Sequence, residues 1–285
     1  MTKLVGMFFS AILLAGCVQT MAIRTMGEIM DYGLETFNEE GDLQLAGEAL
    51  GSNLKLVEAL IKGDPENEKL LLMAAQGFNA YALAFAEDDS VERARVFYVR
   101  GRDYAMSVLM RNKRIKEALG KDLPSLQVAL KTLSKDDVPA VFWAAFGWGS
   151  YINITRSDIG AMADLPKVLA MMEFVRDTDP QFYYGGPYLI LGSIEGSLPR
   201  VLGGKPEKAK EYFERALAVN GGKFLLTYVY YAKTYAVQEQ DQELFQSLLA
   251  KVDEAPLDIL PAARLSNAVA KKKAKLLRSR MNDLF

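Results

Sequence analysis

Apolar residues recur along this chain at intervals of three and four, the period of a helix with one buried face. Leu43, Leu50, Leu54, Val57 and the pair Leu60-Ile61 form one such stripe, and Gly63-Asp64-Pro65 ends it, since glycine and proline disfavour continued helix. The same order, a periodic segment and then a stop, returns at Asp179-Pro180, Gly221-Gly222 and Glu254-Pro256. Alternating runs of Val, Ile and Thr bounded by turns, the mark of strands, do not recur. The pattern predicts an all-α chain of helical hairpins over residues 43–285.

Within that pattern a motif repeats. Residues 206–220 read PEKAKEYFERALAVN. Ala209, Phe213 and Ala216 fall four and three residues apart on one helical face. The small residues let a neighbouring helix approach, and the ring fills the space between them. Tyr188, Leu191 and Gly192 upstream have the spacing of the partner helix, and together these are the marks of a tetratricopeptide repeat. Gly77, Ala94, Tyr98 and Gly101 match Gly192, Ala209, Phe213 and Ala216 at a constant offset of 115 residues, with 17 from glycine to alanine in both copies. That gap is about five residues longer than such a repeat usually has. A third unit runs through Tyr228, Tyr231, Ala232 and Tyr235 to Leu244, Leu248 and Lys251, closed by Pro256. A fourth, degenerate unit spans Phe142 to Pro180, with Trp143, Phe146 and Gly147 on its first helix. A lone hairpin cannot bury its apolar face, so about four pairs are expected to stack as a tetratricopeptide-like solenoid.

Residues Ala262 to Phe285 read as one long helix. Its Lys271, Lys272, Lys273, Lys275, Arg278 and Arg280 would meet lipid headgroups or an acidic partner, or form the polar face of a helix capping the solenoid. Capping is the expectation.

The first residues follow another pattern. Lys3 precedes an apolar run, Leu4 to Ala15, which ends in Leu14-Ala15-Gly16-Cys17. The run suits a secretory signal and falls short of the roughly 20 residues a membrane span needs. The four residues resemble a bacterial lipobox, so residues 1–16 are expected to be a signal peptide and Cys17 a lipidated cysteine. A buried cysteine in an ordinary helix is the alternative. Cys17 is the only cysteine, so no disulfide is expected and the core must suffice. Acyl chains on Cys17 would anchor residues 17–42 to a membrane. Val18, which is not aspartate, points by resemblance to a sorting rule toward the periplasmic face of the outer membrane rather than the inner.

Composition narrows the chemistry. The chain is 50% apolar and 25% charged with a net charge of −2, a balance that calls for no nucleic acid. It contains no histidine, which removes Ser-His-Asp, Cys-His and His-containing zinc sites. No catalytic residue, cofactor or metal site is expected. Carboxylate pairs such as Asp136-Asp137 and Glu39-Glu40 sit in polar, turn-like stretches. Gly203-Gly204-Lys205 lacks the spacing of a nucleotide loop.

Four segments together resemble one family: YYGGPYLILGS (183–193), LPRVLGGKPEKAKEYFERAL (198–217), GGKFLLTYVYYAKTYAV (221–237) and the tail from Arg264 to Phe285. They are similar to the T component (TatT) of tripartite ATP-independent periplasmic (TRAP) transporters, best from about Pro139 onward. The resemblance implies a helical periplasmic lipoprotein that associates with the substrate-binding P component and helps an organic-acid or hydrophobic ligand reach it. It also hints at homo-oligomers. An outer-membrane assembly or scaffolding lipoprotein is the alternative, and an enzyme ranks below both.

Two groups of candidate ligand residues follow. Arg200 is the one charge in the apolar part of the 198–206 loop. It would either hold a carboxylate by paired hydrogen bonds or tie the loop to a helix end. Tyr183, Tyr184, Tyr188, Tyr228, Tyr230, Tyr231 and Tyr235 crowd two adjacent hairpins, joined by Phe182 and Phe224. They line a pocket in this half or belong to its core.

Overall fold

The structure is a computed structural model and describes residues 29–285; Cys17 and the leader lie outside them. The described residues are helical, with turns and loops between, and contain no strand. The main helices are α1 (Leu43–Gly63), α2 (Glu68–Tyr81), α3 (Val91–Leu109), α4 (Lys113–Leu119), α5 (Leu123–Leu130), α6 (Val138–Ile154), α7 (Leu165–Thr178), α8 (Phe182–Ser197), α9 (Pro206–Asn220), α10 (Leu226–Tyr230), α11 (Gln242–Glu254) and α12 (Arg264–Ser279), with short helical turns also at Ile159–Ala163 and Met281–Leu284. Residues 29–38 form a further helical segment before α1. Among the described residues no helix is long and apolar enough to cross a membrane.

Local sequence explains most of the boundaries. Asp42, Asn67, Ser90, Asn112, Asp122 and Asp241 accept hydrogen bonds from the first free amides of the helices they precede, satisfying donors that have no partner inside the helix. Pro206 opens α9, where its missing N–H costs nothing. Gly221, in the left-handed region, closes that helix.

Sequential helices pack as antiparallel neighbours, α2 on α3, α6 on α7 and α8 on α9, compatible with the expected solenoid. Ala209, Phe213 and Ala216 are fully buried, as are Ala94 and Tyr98. The two copies differ in detail. A methyl group on Gly192 would press Phe213 of α9, whereas one on Gly77 would strike Leu54 of α1. The α4 and α5 helices, which the spacing did not mark, fill the interval between the first two hairpins. The C-terminal segment is also shorter than expected as a helix. It begins at Arg264 after a 3-10 turn over Pro261–Ala263, and it breaks at Arg280 before a last turn, Met281–Leu284.

A second device joins α2, α3 and α6. The buried Asn79 amide donates to the Trp143 carbonyl at 3.0 Å. Gly101 and Gly147 flank it, and a β-carbon on either would stand 2.5 Å and 2.7 Å from the Asn79 side-chain oxygen. Helices this close tolerate only glycine at those two positions.

The path finally returns on itself. Helix α12 packs against α10 and α11 and also touches α1. Asn267 accepts from the Leu225 amide at 2.9 Å and donates to the Lys223 carbonyl at 3.0 Å. Lys273, only 4% exposed, reaches Asp88 at 2.9 Å. Lys271 bonds the Val252 and Asp253 carbonyls. The basic tail thus spends several of its charges inside the protein.

Candidate ligand cavity

The first helices of successive hairpins turn one face inward and enclose a cavity of about 480 Å³, the size of a drug-like ligand site. Its wall takes Gly77, Ala80 and Phe85 from the α2 hairpin, Trp143, Phe146 and Gly149 from α6, and Leu189, Ile190 and Ile194 from α8. Leu226 and Tyr230 of α10 and Leu265 and Val269 of α12 complete it, and Leu34 and Phe37 of the 29–38 segment also reach it. That segment is therefore part of the packed protein; Met30 and Phe37 join the cluster around Leu50, Leu54 and Phe78.

Two π-helical turns shape the wall. They follow α2 at Ala82–Ala86 and α10 at Tyr231–Ala236. Each widens the helix by one residue, a distortion common at functional sites. Glu87 ends the first and Lys233 lies within the second, and they meet at 3.2 Å on the cavity wall. Tyr98 donates to Glu87 at 2.5 Å, and Lys273 stands 3.9 Å away. Burial alone would raise the Glu87 carboxyl, but Lys233 and Lys273 outweigh it and hold the pKa below its ordinary value. Burial, and then the Glu87 charge, push Tyr98 well up.

At another part of the wall the backbone is strained. Tyr183, Tyr184 and Gly185 have φ of 47°, 60° and 80°, one turn of left-handed conformation at the start of α8. Non-glycine residues there cost about 1–2 kcal/mol each, so the packing must hold them. Tyr183 lies edge-on to Trp143 at 5.0 Å, and Tyr184 stacks on Phe224 at 5.0 Å. The Asn220 amide donates to the Tyr184 carbonyl at 3.1 Å, and the Tyr184 hydroxyl donates to the Ala262 carbonyl at 3.2 Å. Burial pushes the Tyr183 hydroxyl to a pKa of about 12. Tyr183, Asn38 and Ser266 line both the main cavity and an adjoining one of about 390 Å³ that also includes Tyr184 and Gln181.

The candidate residues from the sequence separate on this geometry. Tyr183 is on the main cavity and Tyr184 on its neighbour, while Tyr188, Tyr228, Tyr231 and Arg200 line neither. Tyr231 is core, stacked on Phe213 at 4.7 Å. Tyr188 packs beside Tyr212. The Tyr228 hydroxyl lies against Gly222. Arg200 pairs with Glu207 at 2.7 Å and Glu239 at 3.2 Å, tying its loop to the start of α9 and the end of the α10 hairpin. Sequence reasoning missed Arg156, Glu87 and Lys233 on the wall.

An all-α protein of hairpins around a mainly apolar cavity is the class this geometry defines. The profile of the TRAP transporter T-component (TAtT) family matches residues 39–285, and the chain belongs to that family, an accessory component of these transporters and not an enzyme family. The chain is also similar to an uncharacterised protein of Treponema pallidum (strain Nichols), 24% identical over 265 residues that cover 87% of this chain and 82% of the relative.

Proposed function

We propose that this chain is a membrane-tethered, periplasmic accessory protein that holds a mainly apolar small molecule in its central cavity and passes it to the substrate-binding P component of a TRAP transporter. The observation that carries the reading is the cavity itself, walled by residues from α2, α6, α8, α10 and α12. A shielded apolar space of this kind gains by taking apolar surface out of water. Membership of the T-component family supplies the transport context. The lipidated Cys17 would keep the protein at the membrane, where a soluble partner finds it by diffusion. Affinity purification of the full chain from its own cells tests the partnership. Recovery of the transporter's P component, lost when competing free P component is added, is the expected result. Consistent recovery of envelope-assembly proteins without it would overturn the reading in favour of a scaffold.

A further inference from the structure

The cavity wall is not uniform, and its polarity has a direction. Along α6 one stripe of inward residues runs Trp143, Phe146, Gly149 and Ser150, then Asn153, and Arg156 stands just beyond the helix end. The series passes from aromatic rings through small residues to an amide and a guanidinium. Both Asn153 and Arg156 are exposed, so this end is the solvent-facing mouth. Met162, Leu165, Ile194 and Leu198 add apolar surface to the same cavity.

The two cations on the wall differ in kind. Lys233 is neutralised by Glu87. Arg156 has no carboxylate partner among the described residues. Its Nε and Nη2 donate to the Asn153 side-chain oxygen, at 3.1 Å for Nε, and its Nη1 donates to the Ser197 carbonyl at 3.0 Å. A guanidinium has five N–H donors, so one on each terminal nitrogen is left over. Those two are free to donate to an anion such as a carboxylate. Asn153 and Ser197 fix the plane of the guanidinium in advance, and partial desolvation disfavours the unpaired cation. An anion at the mouth would relieve that.

We propose that Arg156 is the carboxylate-binding residue of the cavity, and that the ligand class is an amphipathic monocarboxylate whose apolar tail lies along α6 toward Trp143. The assignment deepens the ligand-carrier reading above and rests on it. The tail leaves water while the charged end stays at the mouth, so no isolated charge is buried. The ion pair forms at a partly desolvated site, where a charge-assisted contact is stronger than at an open surface.

Calorimetry of the full chain in phosphatidylcholine nanodiscs, with empty discs as baseline, tests this using octanoate and 1-octanol. The wild type is expected to bind octanoate about tenfold or more tightly than octanol. Arg156→Gln should lose that margin with octanol affinity unchanged, and Arg156→Lys should keep part of it. Unchanged octanoate preference in Arg156→Gln overturns the assignment. So does a loss of octanol binding in that variant, which would make Arg156 a tie between α6 and α8. Equal binding of both probes by the wild type overturns the assignment and leaves the carrier reading standing. Binding of neither probe removes both.

Discussion

The ammonium of Lys233 stands 3.2 Å from the Glu87 carboxylate, joining segments 146 residues apart. Lys273 adds a second link from α12 to the same turn through Asp88. These contacts bind the C-terminal third of the chain to the α2 hairpin and so close the wall of the cavity. Removing one partner of a buried ion pair leaves the other uncompensated, which costs about 3 kcal/mol or more. Glu87→Ala should therefore lower the urea midpoint strongly. Lys233→Met should cost clearly less, because Glu87 keeps Lys273 at 3.9 Å and the Tyr98 hydroxyl as partners.

Stability should also depend on acid through Glu58. Burial would raise this carboxyl, but hydrogen bonds from Lys55, Tyr104 and Arg100 outweigh it and hold its pKa at about 2. A depressed carboxyl stabilises the folded state fully above its unfolded value of 4.5 and loses that contribution as pH falls through about 2. Thermal melts of wild type and Glu58→Gln should thus differ most at neutral pH and converge as pH falls from 4.5 toward 2.

Close helix approach gives a third expectation. A β-carbon at Gly147 would meet the Tyr98 carbonyl at 2.8 Å and the Arg102 amide at 2.9 Å, both backbone atoms that cannot rotate away. Gly147→Ala should destabilise by about 1–3 kcal/mol, as overpacking usually does. Gly120→Ala, where the nearest atom is at 3.9 Å, should have little effect. Chemical denaturation of the two variants checks the contrast.

The left-handed turn gives a fourth. Gly185 has a φ of 80° and would press Val219 at 3.2 Å if given a side chain. Gly185→Ala should cost about 1–2 kcal/mol and disturb Tyr183 on the cavity wall. Near-ultraviolet circular dichroism should register the change in the aromatic cluster alongside the shift in melting.

The hairpins were legible from sequence because burial of a helix face leaves a local period. Ala209, Phe213 and Ala216 are that period, and all are fully buried. The cavity lining was far less legible. A ring that faces a cavity and one that faces a neighbouring helix obey the same spacing, and a π-turn shifts the register by one residue. Tyr230 thus lines the cavity while the adjacent Tyr231 is core. The left-handed Tyr183-Tyr184 pair left no mark either, because tyrosine has no preference for that conformation and tertiary packing imposes it. The Glu87–Lys233 pair spans 146 residues, and no local pattern announces such a contact. Arg200 posed the opposite problem: a lone charge in an apolar loop suits a ligand site and a tie to a helix end equally, and only the partners Glu207 and Glu239, from elsewhere in the chain, separate the two.

A cavity that holds a mainly apolar small molecule should carry it through purification. Native mass spectrometry of the full chain isolated from its own cells reads this out, with Ser193→Trp as the variant whose new ring occupies the cavity. The expected result is a small molecule retained on the wild type, released on denaturation, and lost from a variant that keeps the wild-type circular dichroism. Equal retention by both proteins, or none by the wild type, would contradict it.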